Sequence, residues 1–313
     1  MAIAFTFPGQ GSQAVGMGKL LSEQSEVARA VFDEVDDALG EKLSAVMFDG
    51  PEETLTLTAN AQPALMAVSV ALVRVLESKG FSLKDKVAFV AGHSLGEYSA
   101  LAAAGTFSLA DTARLLRIRG NAMQKAVPAG QGAMAAIIGL EHGDVDAACK
   151  ESAQGEVCQI ANDNGGGQLV ISGSKGAVER AAALCTEKGA KRAIMLPVSA
   201  PFHSALMAPA ADAMREALEA VTKHAPVVPV VSNVTVTPTS DPEEIAARLV
   251  TQVTGQVRWR ETVEWFAANG VTNLVEIGSG KVLTGLARRI SKDVAGSAIN
   301  SLEDIDTFLA GLA

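Results

Sequence analysis

The sequence predicts an α/β protein in two parts: a large α/β-hydrolase-like domain built on a parallel sheet, and a small ferredoxin-like domain inserted into it. Three observations carry this reading. Val87-Ala88-Phe89-Val90-Ala91 runs into Gly92-His93-Ser94-Leu95-Gly96 and then into helix-forming sequence, the strand–turn–helix setting of a nucleophile elbow. Between residues 127 and 198 the apolar patterning reads β-α-β-β-α-β, a unit complete in itself. Apolar strands alternating with helices on both sides of that unit belong to one outer domain. The expected boundaries are therefore 1–126 with 199–313 for the large domain and 127–198 for the small one.

Ile3 to Phe7 reads as the first strand, and Pro8-Gly9-Gln10-Gly11-Ser12-Gln13 as a turn. Gly9, Gly11 and Ala14 fit a dinucleotide fingerprint, but Glu26 to Leu39 reads as helix where a second strand ending in an acid is required. A structural turn, or a loop offering amide N–H groups to an oxyanion, remains. Pro63 to Lys79 is an apolar helix stopped by Gly80. The elbow follows. A tight strand-to-helix turn lifts the Ser94 side chain clear, and residues two before and two after it must lack bulk. The amides at the start of the next helix, which runs to about Ala104, favour negative charge on a substrate oxygen.

Ser108-Leu109-Ala110-Asp111 has the form of a capping box opening a helix to about Ala126. Leu115, Leu116, Ile118, Ala122, Met123 and Ala126 share one face, with Arg119 at its centre. Arg114, Arg117, Asn121 and Lys125 lie opposite. A cation in an apolar stripe needs an anion: an internal acid, or a substrate carboxylate gripped by the planar fork. An outward-snorkelling side chain is the other alternative.

The insertion reads as strand Ala133–Ile138, helix Val145–Ser152, strand Val157–Ala161, strand Gln168–Ser172, helix Lys175–Lys188 and strand Arg192–Val198. Asn162-Asp163-Asn164-Gly165-Gly166-Gly167 is the hairpin turn between the two middle strands, not a calcium loop, because the distal Glu is missing. Ser199 to Ser204 then opens a helix holding Met207 and Met214. Of the four histidines, His142 and His224 sit in polar turns, and His93 points away if Ser94 points up. His203 stands where the chain re-enters the large domain, a place that borders a cleft. Val227–Val231 is a strand, Ile245–Val253 a helix and Leu274–Ile277 a strand. Gly278-Ser279-Gly280-Lys281 lacks the spacing of a phosphate loop.

Composition narrows the function classes. The 313 residues are 48% hydrophobic and 19% charged, which predicts a sizeable core. Aromatics at 4% argue against base stacking, and a net charge of −9 disfavours nonspecific binding to nucleic acid or anionic membrane. Cys149, Cys158 and Cys185 form no C-x-x-C pair, so neither a disulfide framework nor a metal site is expected, and a reducing cytoplasm fits. The N-terminus lacks a signal-peptide pattern, and no apolar stretch reads as long enough to span a bilayer.

Phe7-Pro8-Gly9-Gln10-Gly11-Ser12-Gln13, Gly92-His93-Ser94-Leu95-Gly96-Glu97, Arg119-Gly120, Pro201-Phe202-His203-Ser204 and Glu276-Ile277-Gly278-Ser279-Gly280-Lys281-Val282-Leu283 together resemble the malonyl-CoA:acyl carrier protein transacylases. These include the acyltransferase domains of fatty-acid and polyketide synthases. The similarity spans nearly the whole chain in order, and resembles the free-standing type.

The resemblance implies roles. Ser94 would be the nucleophile and His203 the general base and acid. A main-chain carbonyl would orient the histidine, at the position matched here by Gln252, although the following Thr254-Gly255-Gln256 departs from the Asn-Pro often seen there. The amides of Gln10 and Leu95 would form the oxyanion hole, and Arg119 would hold the malonyl carboxylate. Phe202 stands where malonyl-specific members often carry Phe. The substrates would be malonyl-CoA and the phosphopantetheine thiol of acyl carrier protein, with no cofactor and a monomeric, cytoplasmic enzyme. Lys188, Lys191, Arg192, Arg288 and Arg289 are candidates for docking the carrier protein. A serine thioesterase or esterase is the first rival, opposed by the lack of an evident acid as third triad member. A non-catalytic module binding CoA or carrier protein is the second.

Overall fold

The computed structural model describes residues 2–198 and 200–312. Ser199, placed by the sequence at the start of the His203 loop and at a domain boundary, lies outside the described residues, as do the terminal Met1 and Ala313.

Two sheets organise the chain. The larger has β1 (Ala2–Phe7) beside β2 (Phe89–Gly92), with β7 (Val230–Val231) and β8 (Pro238–Thr239) outside β2, and β9 (Val271–Ile277) and β10 (Ala295–Ile299) outside β1. All its pairings are parallel except β7 with β8. The smaller sheet has the order β4 (Cys158–Asp163), β5 (Gln168–Ser174), β3 (Gly132–Ile138), β6 (Arg192–Met195), antiparallel throughout. With the helices His142–Ala153 and Lys175–Glu187 in sequence between its strands, this is the ferredoxin-like βαββαβ unit. The fold class is thus the expected one: an α/β-hydrolase-like part and a ferredoxin-like part.

Period-two alternation decides what each face of the small sheet does. Ala135, Ile137, Leu169 and Ile171 pack on the two helices with Val145, Val178 and Cys185. Their neighbours Met134 and Val170 point the other way, into the cavity beside Ser94. In the large sheet, Phe7 of β1 pairs with Gly92 of β2, so the two strands end level. The loops that follow them, one carrying Gln10 and the other Ser94, therefore leave the same edge side by side.

Several elements differ from expectation. The apolar helix begins at Thr58 rather than Pro63 and runs to Ser78, which puts Gln62 on it. At 21 residues it is long and apolar enough to cross a membrane, against the sequence reading. It is nevertheless buried along nearly all its length as the central helix of the large core. The strand expected from Val227 shrinks to two residues, because Pro229 has no N–H to donate. The last strand of the insertion stops at Met195. Past Ser204 a short 3₁₀ turn holds Met207, and the helix proper, Ala208–Glu219, starts with Pro209 in its first turn. β10 has no counterpart in the sequence reading: Ala295-Gly296-Ser297 offers no apolar alternation at this edge of the sheet.

Candidate active site

Ser94 sits between β2 and the helix Gly96–Ala103 with a left-handed backbone, φ 54°. The crossing is so tight that a Cβ on Gly92 would lie 1.9 Å from the Gly96 backbone, and one on Gly96 would lie 2.2 Å from the Phe7 carbonyl oxygen. Only glycine at both positions lets the strand turn straight into the helix. Asn233 then pins the elbow from outside: its Oδ1 accepts from the Ser94 amide at 2.8 Å, and its Nδ2 donates to the Gly92 carbonyl at 2.6 Å.

His203 also has a left-handed backbone, φ 54°. Its loop is clamped by Gln159 of β4, which accepts from the Ala205 amide at 3.0 Å and donates to the His203 carbonyl at 3.4 Å. The imidazole Nδ1 faces two carbonyl oxygens, Gln252 at 2.9 Å and Gly255 at 3.1 Å. Carbonyls only accept, so Nδ1 carries the proton and Nε2 is the acceptor. Nε2 is 2.7 Å from Ser94 Oγ, which fits a hydroxyl donating to a base. No carboxylate contacts the ring among the described residues.

Arg119 lies on the helix Leu109–Lys125, 1% exposed. The helix approaches Thr58 and Ala59 so closely that a Cβ on Gly120 would lie 2.6 Å from the Ala59 Cα, which brings Arg119 level with Gln62. Nη1 donates to Gln62 Oε1 at 2.8 Å; Nη2 donates to Gln252 Oε1 at 2.9 Å and to Ser94 Oγ at 3.0 Å. The guanidinium also lies 5.6 Å from the centre of the Tyr98 ring. The apolar face it sits on is shifted from the expected one, since Ile118 is exposed and Thr112, Ala113 and Gly120 are buried. The nearby carboxylate is Glu97, one step behind: its Oε2 accepts from Gln252 Nε2 at 2.8 Å and from the Asn233 amide at 3.1 Å. Amide oxygens thus solvate the cation without neutralising it.

Burial sets the proton affinities here. It pushes the Glu97 carboxyl up to about 7 against the pull of Asn233, Gln252 and Arg119. It pulls His203 down to about 3, and the Arg119 cation adds to that. A histidine held this low stays neutral, and so a base, far below the ordinary value near 6.5. The kcat/KM profile for malonyl-CoA reports the free enzyme. In Glu97→Gln, which removes the buried carboxyl raised to about 7 at this site, the profile is expected to stay flat from about pH 8 to about pH 5. A limb near pH 6.5 in that variant contradicts this account of His203.

A cavity of about 410 Å³ opens onto these groups. Gln10, Ser94, Leu95, Arg119, Phe202 and His203 all line it, so the structure gathers those sequence-selected residues in one place; Gln252 stands directly behind, its carbonyl on His203 and its amide on Arg119. The Gln10 and Leu95 amides have no acceptor among the described residues. None of Lys188, Lys191, Arg192, Arg288 and Arg289 lines the cavity; all five are exposed. His93 also lines it, and its Nε2 meets Asn164 Oδ1 at 2.9 Å. The supposed turn residues Asn162 and Asp163 end β4, and Asp163 ion-pairs with Arg260 at 2.9 Å, tying the small sheet to the large part. Among the described residues no group of side chains is arranged to hold a metal.

Sequence reasoning missed Gln62, Glu97 and Asn233. Glu97 had a usable signal, an acid in an otherwise apolar helix, the same signal that picked out Arg119. Gln62 and Asn233 had none, because their roles arise from contacts to residues far away in the chain.

Comparison with known proteins adds to this geometry. Residues 4–303 match the acyl transferase domain family. A malonyl CoA-acyl carrier protein transacylase of Escherichia coli K12 is 50% identical over 297 residues, 95% of each chain. The crystal structure of an acyl-carrier-protein S-malonyltransferase from Bartonella henselae is 65% identical, covers 100% of this chain and 99% of its own, and superimposes with a TM-score of 0.98. A malonyl-transacylase solved in complex with its type II polyketide-synthase acyl-carrier protein is 47% identical, covers 99% of this chain and 100% of its own, with a TM-score of 0.96.

Proposed function

Since the chain belongs to the acyl transferase family, among the malonyl-CoA–acyl carrier protein transacylases, we propose that it works through a malonyl ester on Ser94. The protein is an acyltransferase that moves a malonyl group from malonyl-CoA to acyl carrier protein in fatty-acid synthesis. The observation that carries the residue-level proposal is the three-way contact at Ser94 Oγ, with His203 Nε2 on one side and Arg119 Nη2 on the other.

The steps follow from those contacts. His203 Nε2 takes the Ser94 proton as Oγ attacks the thioester carbon. The developing oxyanion lies against the Gln10 and Leu95 amides, and one such donor is worth about 2.7–4 kcal/mol in acyl transfer. The imidazolium formed is held by the Gln252 and Gly255 carbonyls. It returns its proton to the departing CoA sulfur. The phosphopantetheine thiol of the carrier protein then attacks the ester, and His203 works in reverse. Arg119 grips the free carboxylate throughout, and Phe202 walls the acyl pocket. Side chains and amides serve every step, so no cofactor is required. A cytoplasmic setting and docking of the carrier protein on exposed cations such as Lys191 or Arg289 are part of the same proposal.

The partition of product tests the reading against a hydrolase. With malonyl-CoA and holo-acyl carrier protein both saturating, malonyl-carrier protein is expected to be at least about a hundredfold more abundant than free malonate, a difference of about 2.7 kcal/mol between thiol and water as acceptor. Free malonate as the main product contradicts it.

A further inference from the structure

Arg119 does more in this structure than wait for a carboxylate. Three of its N–H groups are given to Gln62, Gln252 and Ser94 Oγ, and Nε is buried without an acceptor. One Nη1 N–H is left, whereas a fork on a carboxylate uses two. Gln252 is held by Glu97 and by the Ser94 carbonyl at 3.0 Å, and Gln62 Nε2 donates to Met123 Sδ at 3.8 Å. The bond to Ser94 Oγ is the one that an arriving acyl group replaces, because the malonyl carboxylate is only two carbon–carbon bonds from the carbon that Oγ attacks.

We propose that Arg119 guards the nucleophile as well as gripping the substrate: a carboxylate seated on the guanidinium takes over the N–H now donated to Ser94 Oγ and neutralises the cation, and only then does acylation run at full rate. This rests on the reading of Ser94 as nucleophile and Arg119 as carboxylate fork. The physical reason lies in the transition state. Proton transfer from Ser94 creates an imidazolium at His203, across one oxygen atom from a guanidinium whose hydrogen-bond partners are all neutral, with Glu97 one residue further back behind Gln252. Two like charges about 5 Å apart at an effective dielectric of about 20 oppose that step by roughly a hundredfold or more in rate. Burial first, and the Arg119 cation second, disfavour protonated His203 in the free protein. A carboxylate on Arg119 removes the second cause. Selection of malonyl over uncharged acyl groups then falls partly in the chemical step and not only in binding.

The test supplies the two halves of malonyl separately. Wild-type protein is mixed with acetyl-CoA, and acetyl-Ser94 formation is followed by mass spectrometry with sodium formate or with sodium chloride at equal ionic strength. In the step observed the Oγ–carbon bond forms, the carbon–sulfur bond breaks, and the serine proton passes through His203 to CoA; formate is not consumed. Formate is expected to speed acetylation at least about tenfold over chloride. It is also expected to compete with malonyl-CoA, and to lose its accelerating effect in Arg119→Leu. Competition with malonyl-CoA without acceleration of acetylation overturns the guard and leaves the carboxylate fork standing. Acceleration that persists in Arg119→Leu also overturns the guard. Neither competition nor acceleration overturns both.

Discussion

Ser94→Ala is expected to lower malonyl transfer by about a millionfold and to leave the protein unlabelled by malonyl-CoA. The magnitude follows from the contacts around Oγ. His203 Nε2 has no other proton to take from the protein, and the Gln10 and Leu95 amides have no tetrahedral oxyanion to stabilise without an attacking oxygen. Alanine is tolerated sterically, since it removes one atom and keeps the Cβ, so the elbow pinned by Asn233 is expected to persist. His203→Ala is expected to cost nearly as much, and the double variant little more than either alone, because the two act as one unit. Steady-state transfer to holo-carrier protein measures all three. A double variant whose loss is the product of the single losses contradicts a shared step.

Arg119→Ala is expected to reduce kcat/KM for malonyl-CoA by about a thousandfold, the equivalent of about 4 kcal/mol, or two charge-assisted hydrogen bonds, and to raise acetyl transfer, because the cation that opposes an imidazolium at His203 is gone. The difference arises because, among the described residues, Arg119 is the one lysine or arginine lining the cavity, and Gln62 and Gln252 beside it are neutral amides. Arg119→Lys is expected to recover only part of the loss, since an ammonium keeps the charge but not the planar fork. Parallel assays with malonyl-CoA and acetyl-CoA measure the ratio. Equal losses for both substrates remove the carboxylate role of Arg119.

Much of the fold was legible because its signals are local. The elbow announces itself by two glycines around a serine, and the insertion by strand-like and helical periods that change in a fixed order. Arg119 was legible because a cation in an apolar stripe is a local contradiction that something distant must resolve. The rest was set by tertiary contacts. Gln252 was reached through resemblance as a main-chain carbonyl, yet its side chain also joins Arg119 to Glu97, which no spacing in the sequence announces. Ile118 sits on the expected apolar face but is exposed, because the close contact at Gly120 rotates that face towards Thr58 and Ala59. β10 was illegible for the opposite reason: an edge strand borrows its stability from β9, with which it pairs along its length, and needs no pattern of its own.

The most direct measurement is rapid-quench peptide mass spectrometry of the wild-type protein after mixing with malonyl-CoA alone. The expected result is one malonyl group on the peptide containing Ser94, formed before any carrier protein is present and cleared when holo-carrier protein is added. Malonyl-carrier protein produced with Ser94 unmodified throughout, or a malonyl group carried on another residue, would contradict the account.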